Sequence, residues 1–235
     1  MKREVCGEFP EFCYRAFDRK KYAEEFINSG KFRLRCFGSC RNMEVKSRCD
    51  STEGFGRTIE PGIVTKGLVS PNPEEKTIWI KEKGYQEHHI EQGNKKYLLS
   101  MSLPEVKRCH MLRNFGEYIV KINGPKKLAE DINNYFISEG QKILIEGCRI
   151  VYNKGQKLDR VLTDNERLDL AYKQKPEKDF SDDCEFRIVA IKSEEVCKDE
   201  CKFLSGQFEQ VEPNCEYIYV DLNKPLDYVE MRNCR

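Results

Sequence analysis

The sequence contains no long apolar run and no excess of charge of either sign. It has 41 Lys and Arg residues against 40 Asp and Glu residues, so the formal net charge of +1 gives the 235-residue chain no general attraction to nucleic acid or to a membrane. The longest apolar runs are far shorter than the roughly 20 residues that cross a bilayer. No apolar segment follows the first residues, so we expect no signal peptide and a soluble, cytoplasmic protein without a membrane partner.

Histidine is scarce, with three residues, whereas cysteine is abundant, with 12. Without a secretion signal, we expect reduced thiols that act as small core residues where the surroundings are apolar. Two Cys-x-x-x-Cys pairs, Cys36 with Cys40 and Cys197 with Cys201, suggest a zinc site. Structural zinc sites usually use Cys-x-x-Cys knuckles or Cys and His pairs, and no histidine has a matching spacing. A zinc-supported binding domain stays an alternative, and no metal ligand is assigned.

The chain shows no repeats, heptads or low-complexity tract, and its length suits one domain over residues 1–235. Strand-like, largely apolar segments predict strands over 12–17, 77–81, 96–102, 117–122, 142–152, 185–191, 217–222 and 228–231, and alternation of apolar and basic residues predicts a half-exposed strand over 32–36. The long strand is expected to bend at Gly147, and residues 38–75 are expected to be irregular because they are rich in Gly and Pro. The chain therefore reads as a strand-rich α+β domain.

Three helices are expected from end signals. The first follows Asp18, a potential N-cap, and ends at Gly30 in a left-handed conformation. The second begins near Pro125, which is allowed in the first turn. Thr163 and Glu166 form a capping-box pattern before the third.

Three distant segments carry a polar residue inside a strand-like stretch: CYRAF at 13–17, LSMS at 99–102 and DCEFR at 183–187. The first is apolar on both faces, so it should be covered on both. A buried Arg15 then needs an acidic partner or an anionic ligand. Residues two apart share a strand face, which places Ser100 with Ser102 and Asp183 with Glu185.

Each segment also has a purely structural interpretation. Arg15 can be a core arginine bonded to an acid, and the two serines can bond neighbouring backbone. Asp183 and Glu185 beside Arg187 can form a salt-bridged sheet edge. The residues alone do not choose between these interpretations and a functional site.

In this order, the three segments resemble the arginine–serine–glutamate signature of mono-ADP-ribosyltransferases, which cleave NAD and transfer its ADP-ribose to a target. Parts of 22–30, 48–54 and 185–189 also resemble uncharacterised prokaryotic proteins tied to phage defence, some of them proposed toxins. The resemblance implies an α+β split β-sandwich of ADP-ribosyltransferase type with flanking helices. NAD would lie in the cleft between its two sheets.

The resemblance also implies roles for four residues. Glu185 would bond the 2′-hydroxyl of the nicotinamide ribose and offset the positive charge that develops there, as carboxylates do in glycosidases. Ser100 would hold that ribose and orient Glu185. Arg15 would contact the ribose and phosphates of NAD through its paired donors. Asp183, where the family usually has Glu or Gln, would face the acceptor.

Two further residues, Ser102 and Tyr14, complete the NAD-binding set implied by the resemblance. Tyr14 is one candidate for stacking on the nicotinamide, and Phe115 and Tyr118 are the others. Met101 stands where the family usually has threonine.

The function implied is that of an NAD-dependent ADP-ribosyltransferase, set in a bacterial toxin or anti-phage effector. Its partners would be NAD, a macromolecular acceptor that is protein or RNA, and an antitoxin or other inhibitory protein. Two alternatives remain: an NAD glycohydrolase on the same scaffold, and a binding domain without catalysis.

Overall fold

The structure is a computed structural model. It describes residues 5–36, 55–68, 78–91, 96–141, 143–152, 157–163, 166, 173–175, 180–192 and 217–232.

Strands dominate the described residues. They are β1 (Cys6–Gly7), β2 (Phe12–Phe17), β3 (Lys31–Cys36), β4 (Phe55–Leu68), β5 (Ile78–Glu91), β6 (Lys96–Ser102), β7 (Tyr118–Asn123), β8 (Ile143–Arg149), β9 (Val151–Tyr152), β10 (Gln174–Lys175), β11 (Glu185–Lys192), β12 (Ile218–Asp221) and β13 (Val229–Arg232). The α-helices in the described part of the chain are α1 (Lys20–Ser29), α2 (Arg108–Asn114) and α3 (Pro125–Ser138), and a 3₁₀ turn there covers Ser181–Asp183.

One large sheet forms the centre of the fold. Its strands follow the order β1-β8-β11-β6-β2-β7-β13, and β3 joins β6 and carries β12. The pairings are antiparallel except for that of β1 with β8. The pairs β4–β5 and β9–β10 stand outside this sheet. The fold is thus mixed, with a large, mostly antiparallel sheet and few helices, and the α+β prediction is confirmed at this level.

The sheet forks at β6. One edge of β6 pairs with β11 over its whole length. β6 also pairs with β3 and with β2. Leu98 lies opposite Arg35 of β3, whereas Ser102 lies opposite Tyr14 of β2. The two partner strands therefore meet different ends of β6, and residues 99–101 lie between them.

The main core covers one face of this sheet. Phe26 of α1 and Leu128, Ile132 and Phe136 of α3 pack on inward residues of the strands, such as Ile188. The other face carries two smaller apolar clusters. Leu98 packs there with Val189, and Met111 of α2 packs with Ile119. Because side chains alternate along a strand, the strands contribute residues to the main core on one face and to the smaller clusters on the other.

Helix ends agree with the sequence signals in part. Gly30 follows α1 with φ 63° and ψ 35°, as predicted, and Pro125 opens α3. The N-cap prediction for Asp18 is wrong, because Arg19 precedes the helix in an extended conformation without a side-chain cap. Thr163 and Glu166 make the predicted capping-box hydrogen bonds. Across the described ranges, no helix is both long and apolar enough to span a bilayer.

Three other predictions need correction. Residues 55–68, expected to be irregular, form β4 and pair along their full length with β5. Helix α2 was not predicted. The long strand predicted over 142–152 stays paired with β11 at Gly147, opposite Ile188, and is interrupted at Ile150 between β8 and β9. The remainder of the 38–75 prediction lies outside the described residues.

Two glycines with positive φ allow a matched test of packing after helix ends. Gly30 has φ 63° and a Cβ there would lie 2.8 Å from Leu222 Cβ, whereas Gly140 has φ 70° and nothing within 4 Å of such a Cβ. Gly140→Ala should lower the free energy of unfolding by about 1–2 kcal/mol through backbone strain alone. Gly30→Ala should cost roughly 1–3 kcal/mol more because Leu222 must move. Urea unfolding measures both, and equal losses would show that Leu222 gives way freely.

Candidate functional site

Ser100 and Glu185 meet because β6 and β11 are neighbours in the sheet. The register sets Arg187 opposite Ser100 and Glu185 opposite Ser102, so these four side chains share one face. The Ser100 hydroxyl donates a hydrogen bond to Glu185 Oε1 at 2.6 Å. Residues 85 positions apart are thereby joined on the face opposite the main core.

Glu185 is buried and accepts hydrogen bonds on both carboxylate oxygens. Arg187 Nε donates to Oε1 at 2.7 Å, and Arg187 Nη2 donates to Oε2 at 3.2 Å. Lys175 Nζ lies 2.8 Å from Oε2. Burial by itself would raise the pKa of Glu185, but the Arg187 and Lys175 cations outweigh it and lower that pKa below its ordinary value. Glu185 is therefore an anion held in a polar network.

Tyr152 anchors the start of β11. Its hydroxyl oxygen accepts the Glu185 backbone N–H at 2.8 Å, while the Ile150 N–H donates to the Glu185 carbonyl at 3.0 Å. Burial, followed by the Glu185 charge, raises the pKa of Tyr152 far above its ordinary value, so the phenol stays protonated. The interruption between β8 and β9 thus fixes both backbone groups of Glu185.

Arg15 reaches the same place at the fork of the sheet. Its Nη1 donates to the Ser100 carbonyl at 2.7 Å, and its guanidinium carbon lies 5.3 Å from the centre of the Phe17 ring. Alternation along β2 puts Arg15 on the face of Cys13, which contacts Met101 in the main core. Arg15 and Glu185 therefore approach Ser100 differently, one at its carbonyl and the other at its hydroxyl.

Asp183 does not share a strand face with Glu185, so that prediction is wrong. It ends the 3₁₀ turn before β11, and Cys184 between them has a left-handed backbone with φ 45°. The turn directs Asp183 to α2, where its Oδ1 lies 2.7 Å from His110 Nε2. Asp183, the residue expected to face the acceptor, is therefore two positions from Glu185 in sequence, but its side chain is fixed by His110 of α2.

His110 is fixed on both ring nitrogens. The contacts fit a ring whose Nε2 donates to Asp183 and whose Nδ1 accepts from Asn114 Nδ2 at 3.1 Å. Burial raises the pKa of Asp183 by more than the His110 hydrogen bond lowers it, so this pKa lies above its ordinary value. Lys175 contributes a lowering effect to the pKa of Asp183 as it does to that of Glu185.

Ser102 and Tyr14 extend the row of side chains across the sheet. Ser102 lies opposite both Glu185 and Tyr14, and it is buried. Tyr14 packs against the small cluster that includes Met111, on the Glu185 face. Phe115 packs there too, with its ring 5.7 Å from that of His110.

Tyr118 lies apart from this group. It packs against the main core, on the opposite face of the sheet from Ser100 and Glu185. Of the three stacking candidates, the structure therefore separates Tyr118 from Glu185, while Tyr14 and Phe115 share its face.

The cysteines among the described residues are of two kinds. Cys6, Cys13, Cys109, Cys148 and Cys184 are not disulfide-bonded. Cys36 is disulfide-bonded, so the expectation of reduced thiols is wrong for this residue, and Cys36 is not free to bind zinc in this structure.

Metal ligands do not cluster in the part of the chain that the structure describes. No group of three or more His, Cys, Asp or Glu residues there is arranged to hold a metal ion. The other residues of the two Cys-x-x-x-Cys pairs, Cys40, Cys197 and Cys201, lie outside the described residues.

Sequence reasoning missed three members of the site: Lys175, Tyr152 and His110. Lys175 and Tyr152 come from the paired strands β9 and β10. Neither carries a local signal, because a lone Lys or Tyr in a polar segment is ordinary. His110 lies on α2, whose seven residues begin without a side-chain cap.

Comparisons with protein-family models, with curated proteins and with solved structures found no match to this chain.

Removing one side of the buried ion pair should be far more costly than removing both. Arg187→Met leaves the Glu185 charge buried with fewer partners, so we expect the free energy of unfolding to fall by about 3–5 kcal/mol. The double variant Arg187→Met with Glu185→Gln should recover part of this loss, because no anion is left buried. Urea unfolding of both single variants and the double variant measures the coupling. Additive losses would contradict a direct interaction between the two residues.

Proposed function

We propose that this protein is an NAD-dependent mono-ADP-ribosyltransferase whose catalytic carboxylate is Glu185. One observation carries the proposal: Arg15, Ser100 and Glu185, taken from three distant segments, form a continuous chain of contacts at 2.7 and 2.6 Å. The resemblance assigns Ser100 the task of orienting Glu185, and the hydrogen bond between them supports that task. The split β-sandwich type is part of this proposal, supported by the fork of β2 and β3 at β6.

The charges of the proposed site suit two parts of NAD, with Glu185 bonding the Ser100 hydroxyl on one face of the sheet and Arg15 bonding the Ser100 carbonyl from the other face. Arg187 and Lys175 keep the Glu185 carboxylate ionised, as is needed to offset positive charge on a ribose. Arg15 adds a guanidinium, the group best matched to phosphate oxygens. NAD would supply the glycosidic bond to nicotinamide, while Ser100 and Glu185 would bind and orient the ribose hydroxyls.

Asp183 is proposed to position the acceptor or to take its proton. Its raised pKa makes it a stronger base than an exposed aspartate, and the His110 hydrogen bond fixes one of its oxygens. His110 therefore acts through Asp183 as a positioning residue. The acceptor is a protein side chain or RNA, and a toxin or anti-phage role with an inhibitory partner belongs to the same proposal.

One observation favours a second candidate, a binding domain without catalysis. Glu185 already accepts hydrogen bonds from Ser100, from Arg187 twice and from Lys175, which fills the acceptor sites of a carboxylate. A ribose hydroxyl would have to replace one of these donors. An NAD glycohydrolase on the same scaffold would share this site, and it would release free ADP-ribose without labelling any macromolecule.

Glu185→Gln should abolish NAD cleavage, and it should also lower the free energy of unfolding because the buried Arg187 cation loses its carboxylate partner. The amide keeps the shape of the side chain but carries no charge, so we expect the rate to fall by at least about 100-fold. Release of nicotinamide from labelled NAD, with cell lysate as the acceptor, measures the rate, and circular dichroism checks the fold. Glu146→Gln is the matched control. Glu146 lies on the neighbouring strand β8, and its carboxylate, like that of Glu185, pairs with a lysine, here Lys173. Full activity in Glu185→Gln would rule out the assignment.

Arg15→Ala should weaken NAD binding. Loss of a charged donor to phosphate is worth about 1.5–3 kcal/mol, or roughly 10- to 150-fold in Kd. Isothermal titration of NAD into the Glu185→Gln background avoids turnover during the measurement. The Kd of Arg15→Lys for NAD should lie between that of the protein with Arg15 and that of Arg15→Ala, because lysine keeps the charge but lacks the planar guanidinium. Unchanged binding together with lowered stability would show that Arg15 only supports the Ser100 carbonyl.

A further inference from the structure

Two tyrosines and three basic residues share the outward face of β3 and β12. Along β3, Lys31, Arg33 and Arg35 alternate with buried residues that enter the main core. Along β12 and the residue before it, Tyr217 and Tyr219 alternate in the same way. The pairing sets Arg33 directly opposite Tyr219. These five residues are called the basic–aromatic surface below.

Cations contact one ring of this surface, that of Tyr217, and both rings are open to solvent. The guanidinium carbon of Arg33 lies 5.2 Å from the centre of the Tyr217 ring, and that of Arg35 lies 6.0 Å from it. Tyr219 is 67% exposed and Tyr217 is 39% exposed. Large aromatic rings that stay exposed beside arginines are typical of binding surfaces rather than of ordinary solvent-facing strands.

The surface is almost entirely positive. Among the described residues of β3 and β12, Asp221 is the one acidic residue, and its carboxylate lies 3.3 Å from Lys31 Nζ. Both side chains of that pair are about half exposed, so water and salt screen their attraction. Arg33 and Arg35 stand farther along the strand, beside the tyrosines. The surface therefore fits an anionic partner that also offers flat rings.

This surface leads to the candidate functional site. Arg35 lies opposite Leu98 of β6, so the two side chains share a face. Ser100, two residues further along β6, is on that same face and bonds Glu185. The basic–aromatic surface therefore borders the strand that carries Ser100, with the buried Leu98 between Arg35 and Ser100 on that face.

We propose that the basic–aromatic surface docks single-stranded RNA and delivers it to the candidate functional site as the acceptor. The acceptor role rests on the proposed function, whereas the docking does not. Phosphates complement Lys31, Arg33 and Arg35, and unpaired bases stack on exposed rings such as those of Tyr217 and Tyr219. A duplex hides its base faces, while the loops and ends of RNA display them. The positive charge that attracts RNA is a local feature of this surface, which agrees with a net charge of only +1 for the whole chain.

The test is binding of a fluorescein-labelled, unstructured RNA of about 12 nucleotides, followed by anisotropy without NAD at several salt concentrations. Tyr219→Ala should weaken Kd by about 5- to 100-fold and leave the salt dependence unchanged, because it removes stacking. Arg33→Ala should also weaken binding and should lower the slope of log K against log salt by about 1, because it removes a phosphate contact.

The chain offers a matched control on α1. Arg19 lies 5.9 Å from the centre of the Tyr22 ring, which is 41% exposed, so this pair has the same chemistry on another element. Arg19→Ala and Tyr22→Ala should leave RNA binding unchanged. The proposal would be overturned if the α1 variants lost as much RNA affinity as Tyr219→Ala and Arg33→Ala, or if the unaltered chain did not bind the RNA. Competition by polyglutamate or by duplex RNA as strong as that by single-stranded RNA would also overturn it.

The Glu185→Gln variant separates failure of docking from failure of the proposed function. It should bind the RNA as the unaltered chain does, since Glu185 lies outside the basic–aromatic surface. Surface-dependent RNA binding by a chain that does not cleave NAD would support the docking and reject the transferase. NAD cleavage that labels the protein fraction, by a chain that does not bind RNA, would overturn the docking and leave the transferase standing.

Discussion

The buried pair of Glu185 and Arg187 is the interaction on which the site depends. Two residues apart on β11, they point to the same face and meet through two hydrogen bonds. A carboxylate without such a partner could not remain ionised in this position, since burial favours its neutral form. Lys175 and Ser100 then complete its hydrogen bonding. The pair therefore sets both the charge of Glu185 and the direction of its oxygens.

The fork at β6 is the second constraint. Because β2 and β3 leave β6 at different ends, the edge of β6 between them is not continued by one strand. Arg15 bonds the Ser100 carbonyl there, so a side chain takes the place that a ladder partner would hold. The same divergence places the outward face of β3 beside the Glu185 face. One topological feature thus joins the arginine, the serine and the basic–aromatic surface.

Local patterns predicted much of the sheet but not all of it. The strands over 12–17, 96–102 and 185–191 were predicted from their largely apolar sequence, and the structure confirms them as β2, β6 and β11. Strand β4 was not predicted, because its Gly residues and Pro61 are typical of a loop. Its conformation is specified by pairing with β5 in a two-stranded sheet, in which both strands are edge strands and can carry proline. Helix α2 is short and uncapped, and its burial comes from packing on β7.

The sequence by itself determined which residues stand out: an arginine, a serine and a glutamate in strands that are otherwise apolar. It also determined the turn at Gly30 and the start of α3 at Pro125, because backbone preference is a local property. Only the tertiary structure decided that Ser100 bonds Glu185 and that Asp183 bonds His110. These contacts join residues 85 and 73 positions apart, and their partners follow from strand register and helix packing, which no local pattern encodes.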